Sequence, residues 1–287
     1  FQEHLMTAVL ALDFDGVVCD SAGEMIKSAW RAAASIWPSH FNGSIPPELL
    51  SQARRCRPVI ETGYQTILLL LLLHRDCVHV ETIMKPGEFL AQVEKASQRE
   101  QLSKQFLVKL FGNTRDEWLK SDLPGWLGAH SFYPGIVEAV NAVANSGVPV
   151  YIITTKQTRF AQALCKAAGL QIPPEHVHGL ETGKKIGVLS MLASRHPDQP
   201  IHFVEDRVDT LTSVLAAAQP PLRRLLILYL AEWGYNTPQA RKTASTLSHH
   251  SVHVVTLQAF ISCHLKGLSQ NRIRTTGKSL PLPPAKL

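Results

Sequence analysis

The stretch AVLALDFDGVVCDS, residues 8–21, decides how this chain is read. An apolar run leads directly into Asp13-Phe14-Asp15-Gly16. An unbroken apolar run is the pattern of a strand buried on both faces. The carboxyl ends of such strands are where open α/β sheets place their ligands. Asp13 and Asp15 would repel each other in a low-dielectric pocket unless a cation or a proton stands between them. Gly16 lets the chain leave the strand through backbone angles closed to residues with a Cβ. A plain strand-to-turn junction at the surface is the bland alternative, and three further pieces downstream weigh against it.

The first piece is the strand over residues 150–153, which ends in Thr154-Thr155-Lys156. A hydroxyl at a strand end can donate to a phosphate oxygen, and nearby backbone N–H groups help hold an anion. Alone, a threonine there is more often just a good strand residue. The second piece is Thr182-Gly183-Lys184-Lys185, opening a helix over residues 186–193. A cation is misplaced at the positive end of a helix dipole, so a function that needs it there explains it better than a solvated pair does. The third piece is IHFVEDRVD, residues 201–209, a short apolar strand ending in Glu205 and Asp206. Acids are also favoured at a helix N-cap. With the first pair, however, they could surround one Mg²⁺, which prefers oxygen ligands.

In this order the pieces resemble the haloacid dehalogenase (HAD) superfamily, whose pattern is DxDG, a Thr or Ser after a strand, a Lys, and paired acids after a strand. The likeness covers residues 6–21 and 131–260. FVEDR, with Trp233-Gly234-Tyr235-Asn236-Thr237, is similar to a plant and cyanobacterial branch of HAD-like hydrolases related to phosphoglycolate phosphatases. The resemblance implies a Rossmann-like, doubly wound parallel α/β sheet as the core. Residues 22–130 would then be an all-helical insertion in the C1 cap position. Asp13 would be the nucleophile, and Asp15 the general acid and later the base. Thr154 would bind the phosphoryl group, with Gly16 and Thr155 beside the substrate. Lys185, or else Lys184, would neutralise charge. Asp206 would hold Mg²⁺ with Asp13 and the backbone carbonyl of Asp15, assisted by Glu205 and Asp209. Glu205 departs from the commoner Gly or Asp, and Asp209 follows Asp206 one residue earlier than usual.

The insertion carries helical periodicities: Met25, Ala29, Ala32 and Ile36, then Leu68 to Leu73, then Phe89, Val93 and Ala96, then Leu102, Phe106, Leu107 and Leu110. Arg54, Arg55 and Arg57 fall in it. They are candidates for an acidic part of the substrate, with a solvated helix face as the alternative. The six leucines are far too short a run to span a bilayer, which takes about 20 residues, so a buried helix is expected and no membrane partner. From residue 136 onwards strands alternate with helices, the rhythm of a parallel sheet. Residues 261–287 read as a basic, Pro-containing flexible tail.

At 287 residues the chain holds one large domain or two modest ones. Its net charge of +6 leans towards anionic partners. No basic stripe with interleaved aromatics marks a nucleic-acid binder, so the expected partner is a small phosphorylated metabolite. Five cysteines without ligand spacing argue for reduced thiols and against a structural zinc. A cytoplasmic location is expected, or an organellar stroma where a transit peptide has been removed. Met6 reads as a natural start for the first strand. Oligomeric state is not legible. The expected function is Mg²⁺-dependent hydrolysis of a small phosphoester through an aspartyl-phosphate. A phosphomutase or phosphonatase on the same core is the nearest alternative. A phosphonatase needs a lysine from the insertion, for which Lys85, Lys95, Lys104, Lys109 and Lys120 are candidates. A non-catalytic HAD-like binding or assembly protein is the alternative from another class, and the intact Asp13, Asp15, Lys185 and Asp206 weigh against it.

Overall fold

Val9 to Leu12 form strand β1, and no part of it reaches solvent. Successive strand side chains point to opposite faces. Leu10 and Leu12 therefore pack on one side, with Val140, Ile152, Phe160 and Leu164. Val9 and Ala11 pack on the other, with Leu189, Leu192, Phe203 and Leu211. The computed structural model describes residues 8–247 and 252–270. The other strands are β2 (Cys19–Asp20), β3 (Ser131–Phe132), β4 (Val150–Ile153), β5 (Val177–His178), β6 (Ile201–Glu205), β7 (Leu226–Ala231) and β8 (Val252–Val255). Six of them make one sheet in the order β5-β4-β1-β6-β7-β8, with every ladder parallel. Helices cover both faces, as a parallel sheet requires. The fold class is α/β, doubly wound. The strand order reverses around β1, so the crevice at the carboxyl ends of β1, β4 and β6 is the natural ligand site.

Beyond β1 the chain turns through Gly16, whose φ is +87°, and enters β2. This short strand pairs antiparallel with β3, Cys19 opposite Phe132. The insertion therefore leaves and rejoins the core at one place. Between the two strands lie α1 (Ala22–Ile36), α2 (Pro47–Arg55), α3 (Gln65–Leu70), α4 (Val80–Ile83), α5 (Glu88–Arg99), α6 (Lys104–Ser121) and α7 (Leu123–Leu127). Pro38 follows close behind α1, as expected of a residue that cannot continue a helix. These helices have a hydrophobic core of their own, built from residues such as Trp30, Phe41, Leu107 and Phe111. The leucine run is buried throughout and continues from α3 into one π-helical turn, Leu71–Arg75. Among the described residues no helix is long and apolar enough to cross a membrane.

The tail reading needs correction. Residues 260–269 are helical, and Phe260, Leu265 and Leu268 are buried in the same core cluster as Val140 and Val143. Burial of three apolar side chains on one face holds this segment, whatever its basic composition suggests. The remainder of the expected tail, 271–287, lies outside the described residues.

His202 on β6 is buried, with Nδ1 at 3.2 Å from the Tyr229 hydroxyl and its ring 4.8 Å from that of His264. Burial first, then the neighbouring His264 and His253, push its pKa from 6.5 down to about 3. The folded state thus holds a neutral imidazole that the unfolded chain protonates below about pH 6.5. This stabilisation is complete above that pH and is lost as pH falls towards the folded value, by about 1.4 kcal/mol per pH unit. Denaturant melts at about pH 7 and pH 5 should show the loss, and His202→Gln should reduce it. A variant as acid-sensitive as the parent would assign the loss to other groups.

Candidate active site

Three strand ends supply the floor. Asp13 follows β1, and its N–H donates to the Val204 carbonyl of β6 at 2.9 Å. Glu205 ends β6 and Asp206 follows it. Lys185 is the first residue of α10 (Lys185–Arg195). Its Nζ lies 2.9 Å from Asp13 Oδ1 and 2.7 Å from Glu205 Oε2. Lys184 is exposed at the N-cap, so the structure brings Lys185 to the carboxylates and leaves its neighbour outside. For Lys185, burial favours the neutral form, but Asp13 and Glu205 outweigh it and raise the pKa.

The carboxylates of Asp13, Glu205 and Asp206 each place an oxygen within 4.8 Å of the others. Burial, then Glu205 and Asp13, raise the Asp206 pKa well above its ordinary 3.8. The Asp13 pKa also rises, through burial, although Lys185 opposes it. Crowded, desolvated carboxylates of this kind are stabilised by a cation, and an all-oxygen set suits Mg²⁺. Within the set the roles differ. Glu205 Oε1 accepts from the backbone N–H groups of Asp206 and Arg207, both at 3.1 Å, and its Oε2 holds Lys185. Asp206 Oδ2 accepts from the Tyr235 N–H at 2.7 Å. Asp209 does not join them: its side chain is 81% exposed and pairs with Arg207 at 3.6 Å on the first turn of α11 (Val208–Ala217).

Asp15 stands beside this group. Its Oδ1 accepts from Ser21 Oγ at 2.5 Å and lies 3.2 Å from Lys156 Nζ. Burial would raise its pKa, but Lys156, then Arg57 and the Ser21 hydrogen bond, outweigh that and lower it. Thr154, at the end of β4, is buried, and its Oγ1 accepts from the Lys156 N–H at 3.1 Å. The hydroxyl proton remains available for an anion. Thr155 is exposed, and its hydroxyl donates to the Glu61 carbonyl of the insertion at 3.0 Å. A Cβ on Gly16 would collide with the Asp206 carboxylate and the Tyr235 ring. Glycine is required here by both close approach and positive φ.

Of the three arginines in the insertion, only Arg57 reaches the pocket. Arg54 is half exposed, 3.5 Å from Asp20, and Arg55 pairs with Glu81 at the surface. The chain breaks α2 after Arg55 into a 3₁₀ turn, Arg57–Val59, which turns Arg57 inward. Its guanidinium stacks 3.9 Å over the Tyr235 ring and donates to the Ile60 carbonyl.

Several residues of the site escape sequence reading. Glu24 on α1 is fully buried, and Arg115 on α6 grips it with two hydrogen bonds of 2.8 and 2.6 Å. Burial would raise the Glu24 pKa, but Arg115 and then Lys156 bring it down to about 2. Arg207 donates from Nη1 to the Pro58 and Ile60 carbonyls and so ties the insertion to the end of β6. Tyr235 donates its hydroxyl to Asp20 at 2.6 Å. One signal was present: Glu24 is an acid on the same face of α1 as an apolar stripe.

The haloacid dehalogenase-like hydrolase family model matches residues 7–189. The chain belongs to this family. The match takes in the HAD-like motifs around Asp13, Thr154 and Lys185 and the whole insertion. No curated protein matches the sequence. Among solved structures, a predicted phosphoglycolate phosphatase of Haemophilus somnus 129pt superposes with a TM-score of 0.52 at 15% identity, covering 88% of this chain and 95% of that one. A predicted phosphatase of Clostridium acetobutylicum superposes with a TM-score of 0.53 at 13% identity, covering 91% and 99%. At these identities the likeness concerns the fold, and it extends over the insertion as well as the HAD-like core.

Proposed function

We propose that the protein is a Mg²⁺-dependent phosphatase that hydrolyses a small phosphomonoester through an aspartyl-phosphate on Asp13. The observation that carries the reading is the Asp13–Lys185–Glu205 bridge, at 2.9 and 2.7 Å, beside Asp206. It joins a nucleophile, its counter-charge and an oxygen donor set in one buried place. Asp13, Asp206 and the backbone carbonyl of Asp15 would hold Mg²⁺, which when bound offsets charge on the phosphoryl oxygens and on the attacking carboxylate. An oxygen of Asp13 bonds to phosphorus as the bond to the leaving oxygen breaks, and Asp15 in its protonated form gives that oxygen its proton. Asp15 then takes a proton from water. The water oxygen bonds to phosphorus, the bond to Asp13 breaks, and inorganic phosphate leaves. Lys185 stabilises the charge on Asp13 and the phosphoryl oxygens, and the Thr154 hydroxyl donates to one of them. Placement in the plant and cyanobacterial branch rests on the sequence likeness alone.

The insertion acts as a cap in this reading. Its residues Arg57, Glu61, Tyr64, Phe111 and Arg115 line one pocket together with Asp15, Thr155 and Lys156. A lid in that place excludes water and selects the substrate. Lys85, Lys95, Lys104, Lys109 and Lys120 are exposed and do not line the pocket, which favours hydrolysis over Schiff-base chemistry. Phosphate release from a panel of phosphomonoesters, with Mg²⁺ and with chelator, tests the reading. Mg²⁺-dependent release supports it, and release indifferent to chelator counts against it.

Arg57 is the proposed contact for an acidic group on the substrate. A charge-assisted hydrogen bond contributes about 1.5–3 kcal/mol. Arg57→Ala should therefore lower kcat/KM for an acidic phosphoester about 10- to 100-fold, with most of the change in KM, and largely spare a neutral one. Arg54→Ala with Arg55→Ala should change neither, because exposed pairs contribute little. Equal losses on both substrates in the Arg57 variant would remove it from substrate recognition.

A further inference from the structure

A buried chain of alternating charge runs from the insertion to the proposed proton donor. Arg115 of α6 meets Glu24 of α1 at 2.6 Å, Glu24 lies 4.0 Å from Lys156 Nζ, and Lys156 Nζ lies 3.2 Å from Asp15. The residues at its three upstream positions are almost entirely shielded from solvent, with Arg115 and Lys156 at 4% exposure and Glu24 at 0%. Ser28 Oγ donates a further hydrogen bond to Glu24 at 2.6 Å. Both Glu24 oxygens are thus engaged by Arg115, one of them also by Ser28. Lys156 stands nearer to Asp15 than to Glu24.

We infer that Arg115 and Glu24 place Lys156, and that Lys156 in turn places the Asp15 carboxyl for proton transfer to the leaving group. This rests on the reading of Asp15 as the general acid. Arg115, Glu24 and Lys156 are positioning residues, acting on Asp15 and through one another. The argument is one of competition between two buried carboxylates for one ammonium. With Arg115 in place Glu24 is satisfied, and Lys156 serves Asp15. Without Arg115, Glu24 becomes an uncompensated buried charge, which is strongly unfavourable. Lys156 is the nearest other full cation and is drawn towards it, so Asp15 keeps only the Ser21 hydrogen bond among its two close contacts. Removing the Glu24 charge as well abolishes the competition. Replacing both partners of a buried pair by uncharged groups of similar shape is often tolerated, and coupled residues give non-additive double mutants.

The test compares an alkyl phosphate, whose leaving group needs a proton, with p-nitrophenyl phosphate, whose leaving group needs none. Asp15→Asn sets the reference, and it should lose activity on the alkyl ester far more than on the aryl ester. Arg115→Met and Lys156→Met should each show the same selective loss in kcat, about 10-fold greater on the alkyl ester, a fraction of the 10²–10⁴ that full acid catalysis supplies. The double variant Arg115→Met with Glu24→Gln should recover most of what Arg115→Met alone loses. If Arg115→Met does not fold, Lys156→Met and inhibition by inorganic phosphate carry the test. Selective kcat loss with unchanged phosphate inhibition supports a positioning role. Equal losses on both esters, weakened phosphate inhibition without leaving-group dependence, or a double variant no better than the single one would overturn it. An Asp15→Asn variant without selectivity would instead remove the general-acid reading, and the inference with it.

Discussion

Asp13→Asn is expected to abolish phosphate release, by about 10⁴-fold or more, the scale on which removal of a covalent nucleophile acts, while the protein stays folded. The amide keeps the shape of the side chain. It loses the charge that attacks phosphorus and one ligand of the proposed Mg²⁺ site. The fold should not suffer. Asp13 is crowded by Glu205 and Asp206, so the substitution removes a like charge from a desolvated cluster, and Lys185 keeps Glu205 as its partner at 2.7 Å. Thermal melts without Mg²⁺ should therefore place the variant at or above the parent. A folded Asp13→Asn protein with near-parental turnover would mean that another group attacks.

Asp206→Ala is expected to raise the Mg²⁺ concentration needed for half-maximal activity by at least about 10-fold, the size of effect that even indirect changes at metal sites produce. Asp206 sits on a turn built around it. Tyr235 donates its backbone N–H to Oδ2, and Gly16 and Gly234 pack so closely against the side chain that neither position has room for a Cβ. Its carboxylate is therefore held in one place opposite Asp13. Calcium should inhibit the parent protein, because its larger and looser coordination shell lets carboxylates bind with both oxygens. Titration of activity with Mg²⁺, with circular dichroism as the check on folding, reads the effect. An unchanged Mg²⁺ requirement would take Asp206 out of the metal site.

The parts of the site visible in the sequence are those where charge meets an apolar strand end. Asp13, Glu205 and Asp206 stand out because the residues before them, Val9 to Leu12 and Ile201 to Val204, have no reason to approach carboxylates. Lys185 stands out against a helix dipole. The network behind Asp15 has no such local mark. Glu24 and Arg115 are 91 positions apart, and only the return of α6 across α1 makes them a pair. Arg57 looks like Arg54 and Arg55 until the chain breaks into a 3₁₀ turn between them. Strands β2, β3 and β5 have two residues each, too few for a period to register. The helix over residues 260–269 was hidden by composition: its basic and polar residues suggest disorder, while Phe260, Leu265 and Leu268 decide otherwise by packing.

The central claim is that phosphate passes through a covalent bond to Asp13, and chemical trapping addresses it directly. Protein mixed with a phosphomonoester and Mg²⁺ is quenched rapidly in acid and reduced with borohydride, which converts an aspartyl-phosphate to homoserine. Peptide mass spectrometry then locates the change. The account predicts homoserine at position 13, formed only when both substrate and Mg²⁺ are present. Steady phosphate release with Asp13 unmodified, or modification at a different carboxylate, would contradict it.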